Sequence, residues 1–231
     1  RQQESILLMT SRSACPKPSI GPRLSEIPLE SPLTRPHTTQ PECEWQTISV
    51  TRFLSAKPDS RLLPLPWSTP LAQWPQERLV ALPRGISRHV VRFITIGDDV
   101  YAAKEVVEHL AIHEYRLLHD LTRLDTPSVE PIGVITDRVA PNGEPLEPII
   151  LTRHLRFSLP YRSLFHSGVR QGTVMRLLDA LVVLLVRLHL VGFLWGDISL
   201  SNVLFRRDAE AFAAYLVDAE TGELHDRLTT G

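Results

Sequence analysis

After residue 77 the hydrophobic pattern alternates between strand and helix periods in a fixed order. Strands are predicted at 79–82, 90–96, 100–106, 132–136 and 149–153. A helix is predicted at 108–122, where four leucines lie on one stripe, and Gly97, Asp98 and Asp99 signal a hairpin turn. Three strands, a helix and two strands predict an antiparallel sheet with one helix against it, an α+β architecture.

The second half of the chain is dominated by a long apolar segment. Residues 173–190 are predicted as a helix with Thr173 as its N-cap, and Gly192 is expected to end it. Its few polar residues form one narrow stripe, so we expect most of its circumference to be buried. Charged residues interrupt the apolar stretch, which favours a buried helix over a membrane span. A polar loop at 196–202 and a hairpin of 203–205 against 214–217 are predicted to follow.

The proline content distinguishes the N-terminal part of the chain from the rest. Twelve of the 19 prolines lie within residues 1–75, and no sustained hydrophobic period accompanies them. We therefore predict that residues 1–60 are disordered, because such a segment buries too little apolar surface to offset its chain entropy. Residues 61–75 carry Trp67 and Trp74, and we expect them to form an apolar strap on the domain that follows.

Charge and cysteine content exclude several functions. The chain has 25 Lys and Arg against 26 Asp and Glu, a net charge of -1, so no strong field exists to hold a nucleic acid. Two cysteines cannot build a disulfide scaffold. No segment resembles a targeting signal, and no transmembrane segment is expected. These features predict a reducing compartment and a cytoplasmic location.

Two charged residues are predicted on apolar faces. Lys104 alternates with Val100, Ala102 and Val106 on its strand, and Glu114 lies within the leucine stripe of the next helix. Each charge is costly on an apolar surface, and pairing would resolve both costs. The alternative is that both side chains extend to solvent.

A second group of polar residues follows the long helix. Asp197 and Asn202 lie five residues apart in the polar loop, and Asp218 ends the next hairpin. If these oxygen-bearing side chains converge, they suit Mg²⁺, which prefers carboxylates together with substrate phosphates. The alternative is ordinary turn chemistry, since Asp and Asn are common in loops.

Taken in order, these residues resemble the signature of the protein kinases. The resemblance covers about residues 77–220 and is strongest in GDISLSNVLF. More narrowly, LPLPWSTPLAQWP, EYRLL and LTRHLRFSLPYRSLF resemble a bacterial family of uncharacterised domains labelled lipopolysaccharide-kinase-like. The resemblance implies a bilobal kinase-like domain, with a first lobe and its strap at 61–153 and a partial second lobe at 154–231.

The resemblance also implies roles for individual residues. Lys104 would hold the α- and β-phosphates of ATP and Glu114 would position it, while Ala102 would lie over the adenine. Asp197 would accept the proton of the substrate hydroxyl. Asn202 and Asp218 would hold Mg²⁺. Residues 153–156 would be the hinge, and the phosphate loop would supply Arg84, Gly85 and Arg88.

Some motifs depart from the kinase pattern. The glycine-rich loop is reduced to PRGISRH at 83–89, with one glycine, and the metal motif reads Asp218-Ala219-Glu220. The leading interpretation is a Mg·ATP-dependent phosphotransferase acting on an unidentified hydroxyl acceptor. The alternatives are a nucleotide-binding pseudokinase that acts as a regulatory binding module, and an inactive gene fragment.

Overall fold

The structure is a computed structural model and describes residues 5–10, 50–82, 88–165, 171–209 and 211–228. Its largest element is a six-stranded antiparallel sheet in the order β1-β2-β5-β6-β4-β3. The strands are β1 (Ser5–Thr10), β2 (Val50–Ser55), β3 (Val91–Ile96), β4 (Asp99–Glu105), β5 (Pro131–Thr136) and β6 (Ile149–Arg153). The α+β prediction is confirmed.

The first two strands correct the disorder prediction for residues 1–60. Residues 5–10 and 50–55 pair with each other, and β2 continues the sheet by pairing with β5 through Phe53 and Ile135. Phe53 is almost fully buried, so this pairing contributes to the core. The prediction is therefore wrong for these residues, while residues 11–49 lie outside the described part of the chain.

The hairpin between β3 and β4 follows the predicted turn. Gly97 has φ of +61°, a left-handed conformation that glycine adopts without strain. The predicted strand at 79–82 is wrong, because this segment pairs with β3 through an isolated bridge between Leu79 and Ile94, with a hydrogen bond from the Val80 N–H to the Phe93 carbonyl, and does not form a strand.

The predicted strap lies against one face of the sheet. Three short 3₁₀ turns lie within it or at its ends, Ser60–Leu62, Leu71–Gln73 and Gln76–Arg78. Trp67 and Trp74 are buried and meet edge to face, with ring centroids 5.3 Å apart. With the strap's buried leucines they form a core cluster against Tyr101 and Ala103 of β4, so this prediction is confirmed.

Helix α1 (Glu108–Arg123) covers the opposite face of the sheet. Its buried residues include the predicted Leu117, Leu118 and Leu121, and also Glu114. The same core cluster continues into the second half of the chain, where it includes Leu184. The face of the sheet that carries α1 is therefore joined to the C-terminal elements by one apolar core.

Within the described residues, the C-terminal elements are two small sheets and two helices. The helices are α2 (Tyr161–Phe165) and α3 (Gln171–Leu190). Strands β7 (Ser158–Pro160), β9 (Val203–Asp208) and β10 (Ala211–Leu216) form one sheet, and β8 (Phe193–Trp195) pairs with β11 (Gly222–Leu224). The predicted hairpin is confirmed, and Leu204 lies opposite Tyr215. Among the helices of the described ranges, none has the length and apolarity needed to cross a membrane.

Two expectations for α3 are wrong. Thr173 is not its N-cap, because the helix already includes Gln171. The helix is also not buried around most of its circumference, since one apolar side is open. The exposed side chains there are Met175, Leu178, Val182, Val183, Val186 and Leu190. Gly192 ends the helix as predicted, with φ of +84°.

We expect this open face of α3 to bind a hydrophobic dye, because contiguous exposed apolar side chains form such a surface. Replacing Val182 and Val186 by lysine should lower dye fluorescence and self-association. Both side chains are more than half exposed, so the free energy of unfolding should change by no more than about 0.5 kcal/mol. Placing two lysines at the exposed Gln73 and Gln76 gives the same added charge elsewhere. Equal effects of the two pairs would contradict the assignment of dye binding to α3.

Candidate functional site

A cavity of about 390 Å³ lies between the sheet and the C-terminal elements. One wall comes from the segment before β3 and from β3, β4, α1 and β6, and the other comes from the polar loop after β8 and the end of β10. The lining includes most of the predicted site residues, which are Arg88, Ala102, Lys104, Glu114, Asp197, Asn202 and Asp218. The other two predicted residues, Arg84 and Gly85, lie outside the described residues. A volume of this size suits a small-molecule ligand.

Lys104 and Glu114 form the ion pair that the sequence predicts. Strand alternation on β4 directs Tyr101 and Ala103 into the strap-side core and places Ala102 and Lys104 at the cavity. The Lys104 Nζ lies 2.6 Å from the Glu114 Oε2, and the two side chains are 12% and 2% exposed. Such low exposure excludes the alternative in which both charges extend to solvent.

Lys104 also contacts the carboxylate that follows β10. Its Nζ lies 3.3 Å from the Asp218 Oδ2. Burial acts to lower the pKa of Lys104, but the carboxylates of Glu114 and Asp218 outweigh burial and raise it above its ordinary value. Lys104 is therefore a fixed positive charge at the junction of the sheet and the loop.

Glu114 is the most deeply buried acid of the site. Burial raises its pKa to about 7, although Lys104 acts in the opposite direction. The carboxylates of Asp218 and Glu220 add to the increase by like-charge repulsion. Any cation that neutralises these carboxylates would therefore favour the ionised form of Glu114.

Because of Glu114, the metal-free protein is expected to lose stability between about pH 5 and pH 8. Its pKa of about 7 in the folded state exceeds its ordinary value, so its contribution is complete below the unfolded-state pKa and is lost as the pH rises through about 7. Glu114→Gln lacks this titration. The wild-type free energy of unfolding, minus that of the variant, should fall by about 1–3 kcal/mol across the window in urea titrations with EDTA.

The difference between the free energies of unfolding of the wild type and Glu114→Gln is independent of groups that titrate in the same way in both proteins. Burial lowers the pKa of His154, so its contribution to stability increases with pH and opposes that of Glu114. It is present in both proteins and cancels in the difference. A difference that does not vary with pH would contradict a raised pKa for Glu114.

Asp197 and Asn202 are placed by a compact turn after β8. The 3₁₀ turn Leu200–Asn202 is capped by the Ser199 hydroxyl, and the Asn202 side-chain amide donates to the Asp197 carbonyl at 3.3 Å. Asp197 is exposed at the cavity. Within the described residues, neither the Asp197 carboxylate nor the Asn202 amide oxygen has a hydrogen-bond partner. Both oxygens are therefore available to a ligand.

Asp218 is brought to the same place by β10. The Val217 N–H donates to the Asn202 carbonyl at 3.0 Å, which fixes the end of the strand beside the turn. The Asp218 Oδ1 accepts a hydrogen bond from the Glu220 N–H at 3.0 Å. Three side chains with oxygen donors thus line one wall of the cavity, as the sequence predicts. Their chemistry suits Mg²⁺.

Glu220 is a member of the site that the sequence reasoning missed. Its side chain is 4% exposed and contacts the Arg88 Nη2 at 2.5 Å and the His89 Nε2 at 3.1 Å. Its Oε2 also lies 3.5 Å from the Lys104 Nζ. The sequence shows Glu220 only as a departure in the Asp218-Ala219-Glu220 motif, and nothing near it in the chain indicates its distant basic partners.

Comparisons with known proteins give distant likeness at the level of solved structures. No protein-family model matches the chain, and no curated protein matches it. A solved structure, "WaaP in complex with acyl carrier protein", is similar with 13% identity and a TM-score of 0.47. The match covers 66% of this chain, and the chain spans 66% of the length of that one. A likeness at this level supports no functional assignment, so the assignment depends on the geometry of the cavity.

Proposed function

We propose that this protein binds ATP with Mg²⁺ and transfers the terminal phosphoryl group to a hydroxyl acceptor. The observation that carries the proposal is the convergence on one cavity of the Lys104–Glu114 ion pair with the oxygen ligands of Asn202 and Asp218. A fixed cation beside hard oxygen ligands can hold phosphates and a divalent metal at neighbouring positions.

In the proposed complex the two halves of the chain act as lobes. Residues 61–153 would form the wall of the cavity that contacts the nucleotide, and residues 154–231 would supply the loop that holds the metal and acts on the acceptor. Residues 153–156 would be the hinge between them. Ala102 and Thr152 lie opposite each other on β4 and β6 and line the cavity, which offers a surface for the adenine. Arg84, Gly85 and Arg88 are proposed to complete the phosphate side.

Lys104 is proposed to bind the α- and β-phosphates. Glu114 holds its ammonium group through the 2.6 Å contact, so the cation needs little reorganisation when phosphate arrives. Asn202 and Asp218 would hold Mg²⁺, which neutralises phosphate charge when bound. These residues bind and orient the nucleotide for in-line transfer.

Asp197 is proposed to act on the acceptor. Its carboxylate is exposed at the cavity and has no hydrogen-bond partner among the described residues, so an acceptor hydroxyl can approach it. The acceptor oxygen forms a bond to the γ-phosphorus while the bond to the β–γ bridging oxygen breaks. The hydroxyl proton passes to Asp197, and ADP leaves.

Asp218→Ala should abolish the effect of Mg²⁺ on nucleotide affinity. In the wild type, Mg²⁺ is expected to tighten ATP binding by about tenfold or more in calorimetric titrations, because Asn202 and Asp218 would hold a metal that attracts the phosphates. Asp226→Ala is the matched control, since it removes an exposed acid elsewhere in the C-terminal half. Equal tightening by Mg²⁺ in wild type and Asp218→Ala would exclude Asp218 as a metal ligand.

The second candidate function is a nucleotide-responsive binding module without turnover. The observation that favours it is the contact of Glu220 with Arg88 and Lys104, two cations that a bound phosphate would also use. Such a module would bind ATP in the same cavity and change conformation without releasing ADP. Nucleotide binding without phosphate release, in the presence of Mg²⁺, would select this function.

A further inference from the structure

The Glu220 carboxylate contacts basic side chains from two separate parts of the chain. Arg88 and His89 precede β3, whereas Lys104 lies on β4, and all three approach the same buried carboxylate. The Glu220 side chain is 4% exposed, so this carboxylate lies inside the protein and is paired there with basic side chains.

The same three basic side chains line the cavity. Arg88 and Lys104 provide N–H donors that phosphate groups of a nucleotide would require under the proposed function, and His89 adds a donor when its Nε2 carries a proton. The Arg88 Nη2–H that donates to Glu220 at 2.5 Å cannot at the same time donate an equally good hydrogen bond to a phosphate oxygen. The protein carboxylate and the ligand phosphate therefore compete for one set of donors.

We propose that Glu220 sets the affinity of this site for phosphate groups by competing with them for Arg88, His89 and Lys104. The inference rests on the proposed function for the identity of the ligand, a nucleoside polyphosphate, and adds the residue that limits its affinity. The Glu220 N–H also donates to the Asp218 Oδ1, so the competing residue is in direct contact with the proposed metal ligand.

Two other roles for Glu220 predict different results. In a purely structural role, Glu220 would only anchor the segment before β3 to the C-terminal elements through its ion pairs. As a metal ligand it would act with Glu114 and Asp218, whose carboxylate oxygens lie within 4.8 Å of one another and of Glu220. The Lys104 ammonium contacts all three carboxylates, which disfavours a metal at the same point.

Glu220→Gln tests the competition, because it removes the charge and keeps the shape. Binding of ATP, ADP, tripolyphosphate and adenosine is measured by calorimetry, in EDTA and again with Mg²⁺, and folding is checked by thermal unfolding. We expect the three phosphate ligands to bind about tenfold more tightly to the variant, because charge-assisted contacts to Arg88 and Lys104 become available. Adenosine has no phosphate, so its affinity should not change.

Two further variants sharpen the comparison. Glu223→Gln makes the same chemical change three residues away, at a side chain that is 64% exposed and pairs with His225, and it should leave all affinities unchanged. Glu220→Asp keeps the charge but shortens the reach to Arg88, so its affinity for phosphates should fall between those of wild type and Glu220→Gln. It also provides a readout if Glu220→Gln folds poorly.

The possible outcomes separate this inference from the proposed function. Tighter binding of tripolyphosphate alone, with no binding of ATP to any variant, would support the competition and overturn the nucleotide function. Unchanged or weaker phosphate binding in Glu220→Gln would overturn the inference, and ATP binding to the wild type would leave the proposed function standing. If Glu220→Gln loses only the increase in nucleotide affinity that Mg²⁺ produces, Glu220 is a metal ligand. That result would also overturn the inference.

Discussion

Replacing Arg138 by methionine is expected to lower the free energy of unfolding by about 3–5 kcal/mol. The Arg138 side chain is completely buried, and its Nη1 lies 2.9 Å from the Glu105 Oε1. Its guanidinium also donates to the Trp67 carbonyl at 2.8 Å and to the Thr69 carbonyl at 2.7 Å, and it contacts the Glu147 carbonyl. Methionine would remove this donor from the Trp67 and Glu147 carbonyls and would leave the Glu105 carboxylate without its cation, and each loss at a buried polar group is costly.

Chemical unfolding of a matched set checks this result. Arg52→Met removes an arginine from an exposed pair with Asp137, so it should change stability much less. Adding Glu105→Leu to Arg138→Met should recover only part of the loss, because the Trp67 carbonyl still lacks the guanidinium and the Leu71 N–H loses the Glu105 carboxylate. A loss for Arg138→Met no larger than that for Arg52→Met would show that apolar contacts alone hold the strap.

The central part of the sheet could be predicted from local sequence. Strands β3 to β6 and helix α1 each carry their own hydrophobic period, and Gly97 marks the turn between two of them. These elements are near one another in the chain, so their pairing follows from short connections. The boundaries of β6 agree with the prediction, and those of α1 differ by one residue at its C-terminal end.

The edge formed by β1 and β2 could not be predicted in the same way. The strand β2 is ordered by its neighbour β5, which lies far along the chain, and the proline-rich residues between β1 and β2 dominate the local composition. A composition argument averages over the whole segment and misses two short strands that a distant partner stabilises. Tertiary contacts override local tendency at such places.

The residues of the site also divide into those with a local sequence signal and those placed by partners that are distant in the chain. Lys104 and Glu114 were identifiable because each is a charge on an apolar periodic face, and the structure pairs them. Arg138 and Glu220 interrupt no such period. Their partners, the strap carbonyls and Arg88, lie far away in the sequence. A buried charge whose partners are distant leaves no local signal, and only the fold reveals it.

Asp197→Asn is expected to lower turnover by about 10²–10⁴-fold, the range that a positioned general base contributes. The variant keeps the backbone carbonyl that accepts from Asn202, so the loop should retain its geometry. It loses only the carboxylate that would take the proton. Release of phosphate from ATP in the presence of Mg²⁺ measures turnover, because water can serve as the hydroxyl acceptor.

Nucleotide affinity distinguishes this effect from damage to the binding site. Since Asp197 is proposed to act on the acceptor, Asp197→Asn should bind ATP within about twofold of the wild type while turnover falls, which is the signature of an interaction made only in the transition state. Asp226→Asn applies the same change to an exposed acid outside the cavity and should alter neither quantity. Full turnover in Asp197→Asn would exclude Asp197 as the base. A parallel fall in turnover and affinity would instead place Asp197 with Asn202 and Asp218 as a ligand of the metal.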